Sequence, residues 1–293
     1  MKRGITGLLI GGLFVLGDMS PALAGPPLTN VEGVGGVALN PLAYVANPIG
    51  KDEAGLFGST VVSKPNVGAW HISLPESDID WNAAGINISF LNRIEIGYSH
   101  ESVDIDAKNV LDDTVDKDNF SAKANLLPEN SFGMPYLPAI SVGVIHKSTN
   151  FDNLVDAGLL DDDSGEDYYV VATKTLTNLP VPVILNAGVL STKGYVRGVL
   201  GFGDDRDEAF FCNIETIPIA NIILGWEYAE GTEVDSNPDF KTHSMWEAHV
   251  AWMLNDFTLV ASYADTGDEN LYSDRAVANS FGEGWVISAQ YAF

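Results

Sequence analysis

The chain ends on Gly284-Trp-Val-Ile-Ser-Ala-Gln-Tyr-Ala-Phe293. Laid out as a strand, this stretch puts Trp285, Ile287, Ala289, Tyr291 and Phe293 on one face and Val286, Ser288, Gln290 and Ala292 on the other. Alternation with period two marks a strand with one apolar and one polar side. An aromatic residue at each end of the apolar side suits a strand that crosses a bilayer between its two interfaces. Trp285, Ile287, Tyr291 and Phe293 are therefore expected on the strand that closes a transmembrane β-barrel. A terminal strand in a soluble sheet would alternate in the same way, so the decision rests on the rest of the chain.

At the opposite end, Lys2 and Arg3 precede an apolar, Gly-rich run from Ile5 to Leu16, and Pro21-Ala-Leu-Ala24 offers small residues before Gly25. This is the pattern of a secretory signal over residues 1–24. The run is too short for a membrane anchor, and Asp18 interrupts it. Removing residues 1–24 takes Lys2, Arg3 and Asp18 from the 15 basic and 40 acidic residues, which leaves 13 and 39 and a net charge of −26. Nucleic acid is a poor partner for such a surface. The lone Cys212 excludes an internal disulfide framework and a cysteine metal cluster. No later run of about twenty apolar residues occurs, so a membrane form would have to spread its apolar signal over many short strands.

Such strands can be read at 29–46, 55–63, 67–75, 80–90, 92–103, 118–127, 137–147, 166–176, 181–192, 207–217, 221–230, 241–253, 256–264 and 284–293. The expected fold is an all-β, antiparallel, up-and-down transmembrane β-barrel of about 14 strands, with 12 as the alternative count. It forms a single domain over residues 25–293, in which the Gly-rich 25–46 is a first strand or a plug. Connections alternate between tight ones near Leu91-Asn92, 177–180, 218–220 and Asn255 and longer acidic ones at 104–117, 148–165, 193–206, 231–240 and 265–283, with 128–136 of middling length. Short periplasmic turns and long acidic outer loops are how outer-membrane barrels are built. The acidic runs read first as solvated surface. Asp161, Asp163 and Glu166 beside Gly165 are the candidates for loop-bound Ca²⁺ or Mg²⁺, although the full twelve-residue calcium spacing is missing. No organic cofactor is expected.

Facing assignments by alternation direct a set of charges toward the interior. Arg93, Lys123, Lys147 and Lys174 fall on the earlier strands, and Glu215, Glu227, Glu247 and His249 on the later ones. The assignment of Lys174 takes Tyr169, Val171 and Thr173 as outward, and Tyr168 and Val170 could exchange with them. Basic and acidic arcs would then occupy different sectors of one wall. Either these charges pair with one another or with a plug, or they set a transverse field across a water-filled passage. The five histidines stand in no Gly-x-Ser-x-Gly or His-Glu-x-x-His context. Glu247 and His249, two apart on one face, are the nearest approach to a catalytic pair, so an outer-membrane hydrolase is a minor alternative.

Three stretches resemble an uncharacterised Gram-negative family known only as a domain of unknown function: Asn30-Val-Glu-Gly-Val-Gly-Gly-Val-Ala-Leu-Asn-Pro-Leu-Ala43, Val144-Ile-His-Lys147 through Asp167-Tyr-Tyr-Val-Val-Ala-Thr-Lys174, and Val199-Leu-Gly-Phe-Gly-Asp-Asp205. The resemblance runs from about Thr29 to Phe293. Leu42 stands where that family usually carries an aromatic residue. The resemblance implies a secreted barrel-type protein with no catalytic residue to carry over. The expected location is the outer membrane of a Gram-negative bacterium, among lipid and lipopolysaccharide, after handling by the barrel assembly machinery. The leading expectation is a channel or transport component for a small solute. The alternative is a closed structural or interaction barrel with a periplasmic partner, supporting surface assembly or polysaccharide export.

Overall fold

The computed structural model describes residues 28–107, 111–151, 155–156, 161–234, 241–267 and 281–293. The signal segment 1–24 and the acidic Asp268 and Glu269 lie outside them. Twelve strands run in order: β1 Asn66–Leu74, β2 Ile79–Phe90, β3 Ile94–Ala107, β4 Leu111–Leu127, β5 Ala139–Thr149, β6 Ser164–Leu176, β7 Val183–Gly194, β8 Phe202–Ile219, β9 Ile222–Ala229, β10 Met245–Leu254, β11 Phe257–Asp265 and β12 Glu283–Ala292. Each pairs antiparallel with its sequence neighbours, and β1 pairs with β12 to close the barrel. The closing register runs from Asn66 opposite Ala292 to Ser73 opposite Trp285. Closure leaves the sheet without a free edge, so every backbone N–H and C=O in the wall can find a partner away from water.

The count is 12, the lower of the two expected, because the first two strand candidates are not in the wall. Residues 29–46 lie inside the barrel and are almost wholly buried. Residues 55–63 hold a short 3₁₀ turn, Leu56–Gly58, with Phe57 at φ 53°, and meet the sheet through an isolated bridge, Val62 to Phe90, beside which the Ser63 hydroxyl accepts the Ser89 N–H. A second difference concerns 104–117, which reads as an acidic loop and is instead the paired end of β3 and β4. There Val103 and Val115 face each other, both fully buried, while Asp104 lies opposite Thr114. Alternation continues there, with Val103, Ile105 and Val115 buried inward and Asp104, Thr114 and Asp116 on the outer side. The stretch 193–206 likewise contains a buried 3₁₀ turn, Tyr195–Gly198, and the start of β8.

With an even strand count the two ends of the sheet share one rim. The strand ends put the connections after β2, β4, β6, β8 and β10 on that rim, and those after β1, β3, β5, β7, β9 and β11, the first of them the short turn 75–78, on the other. The outer face of the wall is apolar: Phe120, Val170, Ile214, Val250 and Ile287 are all exposed there. On β12 the expected apolar face is the exposed one, with Trp285 64% and Phe293 53% accessible. Trp285 meets Tyr263 edge-on at 5.0 Å, and Tyr291 meets Phe293 at 4.8 Å, so aromatic pairs mark both ends of the closing strand. A continuous apolar outer wall with aromatic rims matches the girdled surface of outer-membrane barrels.

Deleting residues 284–293 would strip partners from β1 and β11 at once, and each unpaired backbone group in lipid costs several kcal/mol. The truncated chain is expected to lose the heat-modifiable gel migration of a closed barrel. Migration of the truncated chain as a compact barrel would contradict this closure.

Candidate functional site

The interior is organised around residues 28–47, which enter from the short-turn rim and fill the lumen. This segment has no ladder of its own, so its backbone groups take partners from wall side chains. Asn30 folds the first turn: its Oδ1 accepts from Glu32 and Val34 N–H, and its Nδ2 donates to the Leu39 carbonyl. The inner face of β12 holds the entry, where Gln290 Oε1 accepts the Thr29 N–H at 2.7 Å, while Asn66 and Asn87 donate to Thr29 Oγ1. The backbone turns at Gly33, φ +76°, and its carbonyl lies against Gly97 of β3, where a Cβ would meet that oxygen at 2.0 Å. The glycines of the opening motif thus permit contact between plug backbone and wall backbone.

Two charged clamps grip the segment. Glu95 accepts from Gly35 and Ala46 N–H, and Lys123, 3.1 Å from Glu95, donates to the Gly35, Leu42 and Tyr44 carbonyls. On the other side Glu227 accepts three successive N–H groups, from Ala38, Leu39 and Asn40. Hydrogen bonds to ionised side chains are the stronger kind, and here they satisfy backbone that would otherwise be buried without partners. Toward the long-loop rim, Glu32 of the plug pairs with Lys147 and, at 3.0 Å, with Arg197. Lys147 also meets Asp167 at 2.7 Å, and Lys117 meets Glu101 at 3.0 Å. The Arg197 carbonyl accepts from both lysines, so the turn 195–198 folds down over the plug. Glu32 belongs to the lumen segment and to no membrane-crossing strand. Burial works against its ionisation, but Arg197, Lys147 and Lys117 outweigh that and hold its carboxyl well below the usual range.

The remaining interior charges form one patch on β8, β9 and β10. Glu227 lies between Asn213 and Glu247 in register, and Gly225, one step along the same face, lies between Glu215 and His249. His249 Nδ1 is 2.7 Å from Glu247 Oε1, and Ser262 Oγ donates to Glu247 Oε2. All four ionisable groups are at most 3% exposed. A serine hydrolase needs its hydroxyl on the imidazole. Here Ser262 donates to the carboxylate, so His249 is not placed to take its proton.

Of the residues assigned to the interior from the sequence, Lys123, Lys147, Glu215, Glu227, Glu247 and His249 are buried inside the barrel. Two assignments are corrected. Arg93 sits in the turn before β3, where its guanidinium donates to the Asn125 carbonyl at the rim. Lys174 has the outward parity of β6, because Tyr169, Val171 and Thr173 face in while Tyr168 and Val170 face out; its amine reaches Glu129 at 2.7 Å in the 128–138 turn. Both faces of β6 are apolar, so alternation alone did not choose between them. The loop candidates do not converge: Glu166 pairs with His146 on the outer side and Asp163 offers its carbonyl to Thr149. The residues missed were Glu32, Glu101, Lys117 and Arg197. Glu101 and Lys117 share parity with Glu95 and Lys123: Glu101 lay within the strand read at 92–103 and was passed over, whereas the signal of Lys117 was hidden by reading 104–117 as a loop. Glu32 and Arg197 lie in irregular segments, where no periodicity points anywhere.

Reversing Lys123 and Lys147 together to Glu would place carboxylates beside Glu95, Glu32 and Asp167 in the dry interior. Breaking a buried pair costs about 3–5 kcal/mol. The double variant is expected to unfold at markedly lower temperature in detergent, and a wild-type melting curve would contradict the clamps.

Comparison with solved structures gives porin folds. A NanC porin superposes with a TM-score of 0.51 at 7% identity, over 78% of this chain and 100% of that one. A KdgM porin gives 0.48 at 10% identity, over 78% and 99%. The Acinetobacter baumannii outer membrane protein Omp33 gives 0.43 at 10% identity, over 78% and 97%. The NanC likeness supports the barrel fold and nothing finer. No curated protein matches the sequence. The family described as "Protein of unknown function (DUF3034)" matches residues 25–280, most of the chain, and the protein belongs to that family.

Proposed function

We propose that this protein is a transport component of a Gram-negative outer membrane, exported by its first 24 residues, whose passage is closed by its own N-terminal segment. The observation that carries this reading is the way the plug is held. Glu95, Lys123, Glu227, Gln290 and the asparagines of the wall bond to its main chain, and Glu32 is its charged anchor. Water can replace hydrogen bonds of this kind at a net cost of about 0.5–1.5 kcal/mol each where the side chain is neutral and about 1.5–3 kcal/mol where it is charged. A lumen lined with such groups is therefore wettable once the plug leaves, and its lysine–carboxylate sector and its lysine-free carboxylate sector on β8 to β10 would then act differently on passing solutes by charge. Lipid, lipopolysaccharide and the barrel assembly machinery are the partners this location supplies.

A permanently closed barrel, supporting surface assembly or export of a polysaccharide, is favoured by one observation: Arg197, Lys147 and Glu32 lock the plug from the long-loop side as well. Conductance separates the two readings. In planar bilayers the mature protein is expected to show small or rare openings, and a variant lacking residues 28–47 a large steady conductance. Gly97→Val, which adds side-chain bulk where the Gly33 carbonyl lies, is expected to raise the open fraction. Silence of both variants, inserted and folded, would leave the sealed scaffold as the reading.

A further inference from the structure

The patch on β8, β9 and β10 brings together three buried carboxyl groups and one imidazole with no lysine or arginine partner among the described residues. Glu215, Glu227 and Glu247 are each at most 1% exposed. Their one cationic neighbour is His249. Buried carboxylates are retained when they are paired, protonated or bound to a cation. The lysines of the opposite sector are each engaged by their own carboxylates: Lys117 by Glu101, Lys123 by Glu95, and Lys147 by Glu32 and Asp167.

The donor geometry then selects among these outcomes. Glu227, Glu247 and His249 can each offer one ligand atom such that all three lie within 4.8 Å of one another. Glu215 supplies an independent observation, since neither of its carboxylate oxygens has a hydrogen-bond partner among the described residues. His249 Nε2 is also without one. Both side chains lean over Gly225: a Cβ there would meet His249 Nε2 at 2.2 Å and Glu215 Cγ at 3.0 Å. The missing side chain at that position is what lets imidazole and carboxylate converge. The bonds already made do not exhaust the set. Oε1 of Glu227 accepts a single N–H, from Ala38, and an ionised carboxylate has about four lone-pair sites.

We propose that Glu227, Glu247 and His249 form a site for one divalent transition-metal cation, with the unpartnered Glu215 carboxylate beside it across Gly225 and zinc as the representative ion. A mixed set of imidazole and carboxylate donors suits zinc and its borderline neighbours better than calcium or magnesium, which take oxygen alone. Since Glu227 also holds Ala38, Leu39 and Asn40, the cation sits against the inner side of the plug. The site stands on wall residues and does not depend on whether the barrel conducts.

The test uses the full mature chain, folded into detergent micelles with zinc chloride and then freed of unbound metal. Elemental analysis is expected to find one zinc per chain, held against a chromophoric zinc chelator, with a zinc-dependent rise in unfolding temperature. Glu215→Gln, which removes no plug contact, and His249→Gln are each expected to weaken zinc by about tenfold or more while heat-modifiable migration is kept. Cobalt(II) added to the wild type provides a readout that needs no variant, since a four-coordinate N/O site gives an intense visible band. Substoichiometric zinc, affinity unchanged in both variants, or absence of the cobalt band would each overturn the proposal. So would loss of the bound zinc on removing residues 155–163 of the loop before β6, because the acidic surface would then be the binder.

Discussion

Irregular backbone buried inside a membrane barrel must have each of its polar groups satisfied, and this constraint shapes the interior. The segment 28–47 has few partners within itself, since Asn30 and a handful of main-chain contacts serve only its first turns. Wall side chains supply the rest. Glu227 accepts three neighbouring N–H groups and Lys123 donates to three carbonyls, which is the opposite polarity on the opposite side. Glu95, Lys123 and Glu227 are therefore first of all backbone ligands. Any role in solute selection follows from what those groups would face once the segment moves.

The charges are also arranged so that most cancel locally. Neighbouring strands put Glu95 beside Lys123 and Glu101 beside Lys117, so the basic sector carries its own counter-ions. The sector on β8 to β10 has no such lysine or arginine pairs and relies on His249, on plug N–H groups and on the cation proposed above. Unequal neutralisation around one wall distinguishes a part that is mainly structural from a part with chemistry left to perform.

Outside, the constraint reverses. Backbone is satisfied by closure of twelve strands, and side chains only need to be apolar, with aromatic residues toward the rims. The two sides of each strand therefore answer to different solvents, and the period-two pattern records both. That is why Trp285 to Phe293 reads clearly: its outward face meets an apolar surrounding, while on its inward face Gln290 holds the plug and donates to Ser288.

Alternation, turn spacing and the charge register were enough to determine a closed antiparallel barrel, the parity of Lys123, Lys147, Glu215, Glu227, Glu247 and His249, and the outward face of β12. These are local properties, since a strand's period fixes which side chains share a face. Where local pattern was symmetric or absent, tertiary structure decided. β6 is apolar on both faces, so only its neighbours set Tyr169 inward and Lys174 outward. Arg93 lies at a strand boundary, where parity ends. The Gly-rich opening could have been strand or plug, and it became a plug because its backbone meets Gly97, Glu95, Lys123 and Glu227 across separations of 49 to 189 residues. Glu32 and Arg197 belong to segments with no period, and only the folded barrel brings them together.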